Sequence, residues 1–257
     1  MRLYLSFLSL HLKSAMTYRG SFLLSCLGQL LVTVNTFLGV KFLMDRFGTI
    51  AGYTLPQLAL CFAVILAATS LAECFARGLD AFASVLSEAR FDRLLVRPRG
   101  LLFQLLCEKM KLSMVPRLLQ AVLMLVWAIS AGAVRWTAPK AAVLVLMILC
   151  GAALFFGLFL INAALCFFTL EGLEVMNIFT DGPREYGKYP FGIYGKGVLW
   201  ILTLLVPLAL VQHWPLQYLL DRGPVWYGFL PLVSLLFLIP CAAVWRLGVR
   251  HYRSTGS

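Results

Sequence analysis

Residues 141–168 read AAVLVLMILCGAALFFGLFLINAALCFF, with no charged side chain anywhere in the run. Wound as a helix at about 1.5 Å per residue it would be about 42 Å long, longer than the ~30 Å hydrocarbon core of a bilayer. Lipid offers no partner to an open backbone N–H or C=O, so a run of this kind must be helical. Five further stretches meet or approach the ~20 apolar residues that a span needs: 21–43, 56–78, 114–134, 197–213 and 226–247. The stretch 197–213 is the shortest and contains Pro207. With 61% hydrophobic residues and a mean hydropathy of +0.88, the chain reads as all-α. It is a polytopic membrane protein of six transmembrane helices, forming a single transmembrane domain over 1–257.

Six spans place both termini on one side, with the loops 79–113 and 169–196. That side holds 17 of the 22 Lys and Arg residues; Lys41, Arg46, Arg135, Lys140 and Arg222 fall on the other. The positive-inside rule predicts cytoplasmic termini, in a cytoplasmic membrane. The net charge of +11 then reflects anionic headgroups and not nucleic acid, because no basic, aromatic-interleaved domain stands outside the spans.

Residues 1–20 lack a small-residue cleavage site after their short, serine-interrupted apolar part, so they do not fit a signal peptide. Read as a helix, Arg2, Ser6, Ser9, Lys13 and Thr17 recur every three or four residues. They make one polar stripe, the pattern of a helix lying in the membrane interface.

Charge concentrates in FDRLLVRPRGLLFQLLCEKMKL, residues 91–112, where Asp92, Arg93, Arg97, Arg99, Glu108, Lys109 and Lys111 stand among leucines. A short helix over 84–97 must stop before Pro98. A second runs from Gly100, with Gln104, Glu108 and Lys111 on one face and Leu101, Leu102, Leu105 and Leu106 on the other. The stretch 79–113 is therefore a structured elbow. One reading is a solvated loop whose arginines touch lipid phosphates. The other is a docking surface for a second protein, with Phe91, Leu94 and Leu95 exposed, since a connector between spans needs only a few residues.

The loop FTDGPREYGKYPFGIYGKG, 179–197, has Gly182, four residues and then Gly187-Lys188. A phosphate-binding loop needs Ser or Thr next, a preceding strand and a following helix. Tyr189 and Pro190 follow instead, so the chain itself binds no nucleotide and this is a turn-rich loop. Its Tyr186, Tyr189 and Tyr194 suit an interfacial aromatic belt.

The order of parts, together with FDRLLVRPRG, GPREYGKYPFGIYGKGVLWILTLLVPLALV and HWPLQYLL, resembles a permease subunit of the ABC-2 class of ATP-binding-cassette exporters. The resemblance covers nearly the whole chain. It implies that the elbow is a coupling helix seated in a separate ATPase subunit, through Phe91, Asp92, Arg93, Leu94, Leu95, Arg97 and Pro98. It further implies ATP and Mg on that partner and no cofactor in this chain, a second permease copy or related chain, and export as the direction. In such permeases the place of 212–225 holds short re-entrant helices. Here Trp214 and Tyr218 are interfacial anchors, LQYLL is too short to cross, and a helical dip is expected between Pro215 and Gly223.

Other chemistry is sparse. Cys26, Cys61, Cys74, Cys107, Cys150, Cys166 and Cys241 have no metal or redox spacing and read as small buried hydrophobes. His11, His213 and His251 lie in different segments. No carboxylate pair or Ser/His/Asp set suggests an enzyme. Glu73 and Arg77, four apart near the inner end of the second span, form a candidate intramembrane ion pair. They are either functional or simply a neutralised exit from the membrane. Gln29 and Asn35 are candidate interhelical glue, and Glu171 with Glu174 marks an extension of the fourth helix. The competing reading of function is a self-sufficient membrane transporter, or a membrane scaffold, without an ATPase partner. A secondary transporter of this size would show inverted repeats and buried charge near mid-membrane.

Overall fold

The computed structural model describes residues 2–87, 90–108, 110–169 and 174–252. Lys109, Glu171 and Arg253, which entered the sequence reading, lie outside the described residues. The described residues form helices and turns, with no strand. The helices are α1 (Arg2–Thr17), α2 (Arg19–Phe47), α3 (Leu55–Asp80), α4 (Phe82–Ser87), α5 (Arg90–Leu95), α6 (Leu101–Glu108), α7 (Val115–Ser130) and α8 (Ala138–Thr169). They continue with α9 (Glu174–Thr180), α10 (Pro183–Tyr186), α11 (Lys196–Leu204), α12 (Leu208–Val211), α13 (His213–Leu219), α14 (Leu230–Ser234) and α15 (Leu238–His251).

By length and composition five helical stretches can cross a membrane: 19–47, 55–86, 112–130, 138–169 and 225–251. The sixth is not the straight span expected over 197–213. It is a pair, 196–204 and 208–219, bent by 88°. The break has a local cause. The amides of Leu205 and Val206 both reach back to the Ile201 carbonyl, at 3.0 and 3.2 Å, which closes the first helix. Pro207 then supplies no N–H to extend it. Counting the pair as one span restores six.

The central helix is α3, almost wholly buried between α7 and α8, with α15 on the far side of α8. It starts from a capping box between Thr54 and Gln57, with Pro56 in the first turn, which satisfies donors that lipid cannot. Small residues set the crossings. A Cβ on Gly151 of α8 would lie 2.9 Å from the Ala68 Cβ of α3, and one on Gly157 would lie 2.9 Å from Leu238 of α15. The helix α2, by contrast, leaves Leu24, Leu31, Phe42 and other large side chains open.

Polar residues gather at the two ends. At one, Lys140 Nζ reaches both Asp221 oxygens at 2.8 Å, Arg222 donates to the Gly52 carbonyl at 2.9 Å and Gln217 donates to the Tyr53 hydroxyl at 2.6 Å. At the other, Arg90 pairs with Glu108 at 2.8 Å and the Tyr252 hydroxyl donates to Asp92 at 2.9 Å.

One segment departs from the expected layout. The turn-rich stretch 179–197 does not stand clear of the bundle. The Gly187 carbonyl accepts from Gln212 at 2.7 Å and lies 3.9 Å from Cys61 Sγ, and Ile65 packs against the same glycine. Cys61 and Ile65 lie within α3, so this stretch is inserted along the second span, where a loop following the fourth span was expected. Pattern reading missed the insertion because its glycines and prolines signal a turn without saying where the turn lies.

Candidate functional site

The elbow is built from its inner face outward. Phe91 is fully buried, ringed by Phe82, Phe167 and Tyr252 at centroid distances of 5.4, 5.3 and 4.8 Å. Asp92 is tied to the last helix through Tyr252. Leu94 is buried as well. Gln104 then fastens the turn: its Nε2 donates to the carbonyls of Leu94 at 3.0 Å and Arg99 at 2.8 Å. Behind it α6 presses on α3, where a Cβ on Gly78 would fall 1.9 Å from the Leu105 carbonyl oxygen. Cys107 is buried beside His11, whose Nε2 lies 2.9 Å from the Cys107 carbonyl. Burial raises that thiol above its ordinary range, so it stays protonated.

What remains outside is the tip. Leu95 is 45% exposed and Val96 86% exposed, and Arg93, Arg97, Pro98 and Arg99 are exposed with them. The expected contact set therefore divides. Arg93, Leu95, Arg97 and Pro98 are available to a partner, whereas Phe91, Asp92 and Leu94 hold the tip in place. The expectation that Phe91 and Leu94 are exposed is corrected, because the aromatic cluster and the Gln104 staple take them inward. Two further details differ from the pattern reading. The first elbow helix ends at Leu95, and Gln104 faces inward.

Above the elbow lies a charge network. Glu73 is 1% exposed, and its Oε2 meets Arg117 Nη1 at 2.8 Å. Arg77 reaches the other Glu73 oxygen at only 3.4 Å and is closer to Asp80, at 2.7 Å. Arg117 Nη2 donates to Gln29 Oε1. Asn162 Nδ2 lies 3.5 Å from Asp80 Oδ1. The Glu73–Arg77 pair is present, but as one link of a chain joining α2, α3, α7 and α8. Sequence reasoning assigned Arg117 to the cytoplasmic edge and missed its role, although a lone arginine in the first turn of an apolar run was a usable signal. Gln29 does bridge helices, whereas Asn35 is exposed. Arg117, Thr33, Phe62 and Asp181 also face a cavity of about 230 Å³ between α2, α3 and the inserted stretch, so apolar and charged groups line one space. The network holds paired charges that link four helices. It suits fixing helices against one another.

A sequence profile described as ABC-2 family transporter protein matches residues 30–256. The chain belongs to the ABC-2 transporter family. No curated protein and no solved structure matches it. As an ABC-2 family member the chain is a membrane component of a transporter. The elbow falls within the matched residues, as does the network apart from Gln29.

Proposed function

We propose that this ABC-2 chain is the permease subunit of an ATP-driven exporter in a bacterial cytoplasmic membrane, with both termini in the cytoplasm. A separate ATPase subunit, carrying ATP and Mg, seats the elbow tip, and a second permease copy or related chain completes the path. The cargo is hydrophobic or amphipathic, consistent with a cavity that combines Phe62 and Leu66 with Arg117 and Asp181. The short helices around 213–219, ahead of the last span, close its outer end.

The observation that carries this reading is the contrast across the elbow. Its inner face is locked by Phe91, Leu94 and Gln104, and its tip offers Leu95 and Val96 with no cover. A rigidly anchored apolar tip transmits the movement of whatever grips it to α3 and α15 as rigid bodies. The test is capture of the ATPase by the full-length permease. Leu95→Asp with Val96→Asp places carboxylates in the contact, which costs several kcal/mol where they are buried without partners, so capture should fall at least tenfold while the spans still insert. Arg97→Ala, at the rim, should weaken capture less. Undiminished capture by the double aspartate would remove the coupling role from the tip.

One observation favours the second reading, a self-sufficient transporter: Glu73 and Arg117 are the buried intramembrane charges that such a protein would use. Uptake or efflux by vesicles holding this chain alone, driven by an ion gradient without ATPase, would establish it.

A further inference from the structure

We infer that the cavity between α1 and the elbow is a binding site for one anionic phospholipid, which bridges the N-terminal helix to the elbow. The cavity is about 740 Å³, large enough for a headgroup and the first part of an acyl chain. Its lining carries Arg93, Arg97 and Arg99 together with the apolar Phe7 and Leu10 of α1 and Phe103 of α6, and α1 adds the polar His11 and Ser14. The nearby carboxylate Glu108 is already engaged by Arg90 at 2.8 Å. Arg93, Arg97 and Arg99 form no ion pair among the described residues. Three guanidinium groups in one cavity with Phe7, Leu10 and Phe103 match a ligand with a phosphate at one end and hydrocarbon at the other.

The position agrees. The backbone of α6 meets Gly78, two residues before the end of α3, so the cavity opens where the central span leaves the bilayer and headgroups begin. The helix α1 leaves Leu10 and Leu12 exposed, as a helix resting on lipid should. An uncharged lipid would leave three arginines uncompensated, and a free anion would leave Phe7, Leu10 and Phe103 facing water. The anionic phospholipid satisfies both kinds of side chain. This inference rests on the membrane placement of the elbow and not on the ATPase, so it is tested on the permease alone.

The full-length chain, purified without an ATPase, is stripped of lipid and offered equal phosphatidylglycerol and phosphatidylcholine. Bound lipid is then counted by native mass spectrometry. The wild-type chain should retain phosphatidylglycerol at least tenfold over phosphatidylcholine. Arg93→Gln with Arg99→Gln should lose that preference, and Arg93→Lys with Arg99→Lys should keep part of it, since lysine preserves charge but not the two-pronged contact. Excess inorganic phosphate should not displace the lipid. A wild-type chain without preference, a glutamine variant that keeps it, or displacement by phosphate alone would each overturn the proposal. The wild-type and lysine arms decide the matter if the glutamine variant fails to fold.

Discussion

Two groups of charge lie near the same end of α3, and they are built in opposite ways. Glu73 and Arg117 have side-chain exposures of 1% and 6% and are paired at 2.8 Å. Arg93, Arg97 and Arg99 stand exposed around a cavity and pair with no carboxylate among the described residues. The residue types are nearly the same. What separates the groups is desolvation. A charge removed from water must bring its partner with it, so the inner group links α2, α3, α7 and α8 and is consumed in doing so. A charge left in water keeps its binding capacity, and the outer group retains it for something that arrives from outside the chain. An arginine in a membrane protein is therefore best interpreted by whether its partner is already within the fold.

The comparison breaks most decisively at Arg117. Arg117→Ala leaves Glu73 buried without its nearest cation, and breaking a buried pair on one side costs about 3–5 kcal/mol. Thermal unfolding of the purified chain should show a large loss of stability. Removing charge from both partners, Glu73→Gln with Arg117→Gln, should cost less than the single alanine, because nothing charged is stranded. Arg97→Ala, in the exposed group, should stay within about 0.5 kcal/mol, as surface changes usually do. If Arg117→Ala and Arg97→Ala proved equally mild, the inner group would be hydrated and the contrast would fall.

A smaller effect is expected where the two groups meet, at the contact of α6 with α3. Gly78→Ala would set a Cβ 1.9 Å from the Leu105 carbonyl. Backbone cannot yield as a side-chain tip can, so α6 must move, at the cost of about 1–3 kcal/mol typical of overpacking. Amide exchange over 101–108 should quicken, since the inner wall of the elbow loosens. Gly100→Ala is the control, because a Cβ there meets nothing within 4 Å, and it should leave exchange unchanged. Equal exchange in both variants would mean that the elbow does not lean on α3.

How much of this was legible in the sequence follows the same division. Hydrophobic run length is a one-dimensional property, so 141–168 and 56–78 announced their helices directly. The end of the elbow's first helix just before Pro98 also followed from local chemistry, with an error of two residues. Pairings between distant segments did not. Glu73 and Arg77 were visible together because they share a helix turn, whereas Arg117 lies forty-four residues further on and is the closer partner of Glu73. Phe91 and Leu94 looked exposed because their neighbours are charged. Their burial depends on Phe167 and Tyr252 from the other half of the chain. Pro207 marked a weak point in the fifth span, but the 88° bend also needed two amides competing for the Ile201 carbonyl.

The least effect should come at the opposite end of the bundle, where Lys140 meets Asp221. The geometry is good, with both carboxylate oxygens 2.8 Å from Nζ, yet the exposures are unequal: 7% for the lysine and 64% for the aspartate. Asp221 also sits at φ 57, a left-handed conformation that Asp and Asn tolerate better than other side chains. Asp221→Asn therefore keeps the turn and removes only the charge, which isolates the ion pair from backbone strain. Water already solvates the carboxylate and salt screens it, so the expected loss is about 0–1 kcal/mol, shrinking further when unfolding is repeated at high ionic strength. Lysine does not become a stranded charge, because its flexible stem lets the ammonium follow the exposed side of the pair into water. A loss of several kcal/mol that ignores salt would place Lys140–Asp221 with Glu73–Arg117, and exposure of one partner would no longer be enough to distinguish a charge that fixes the fold from one that does not.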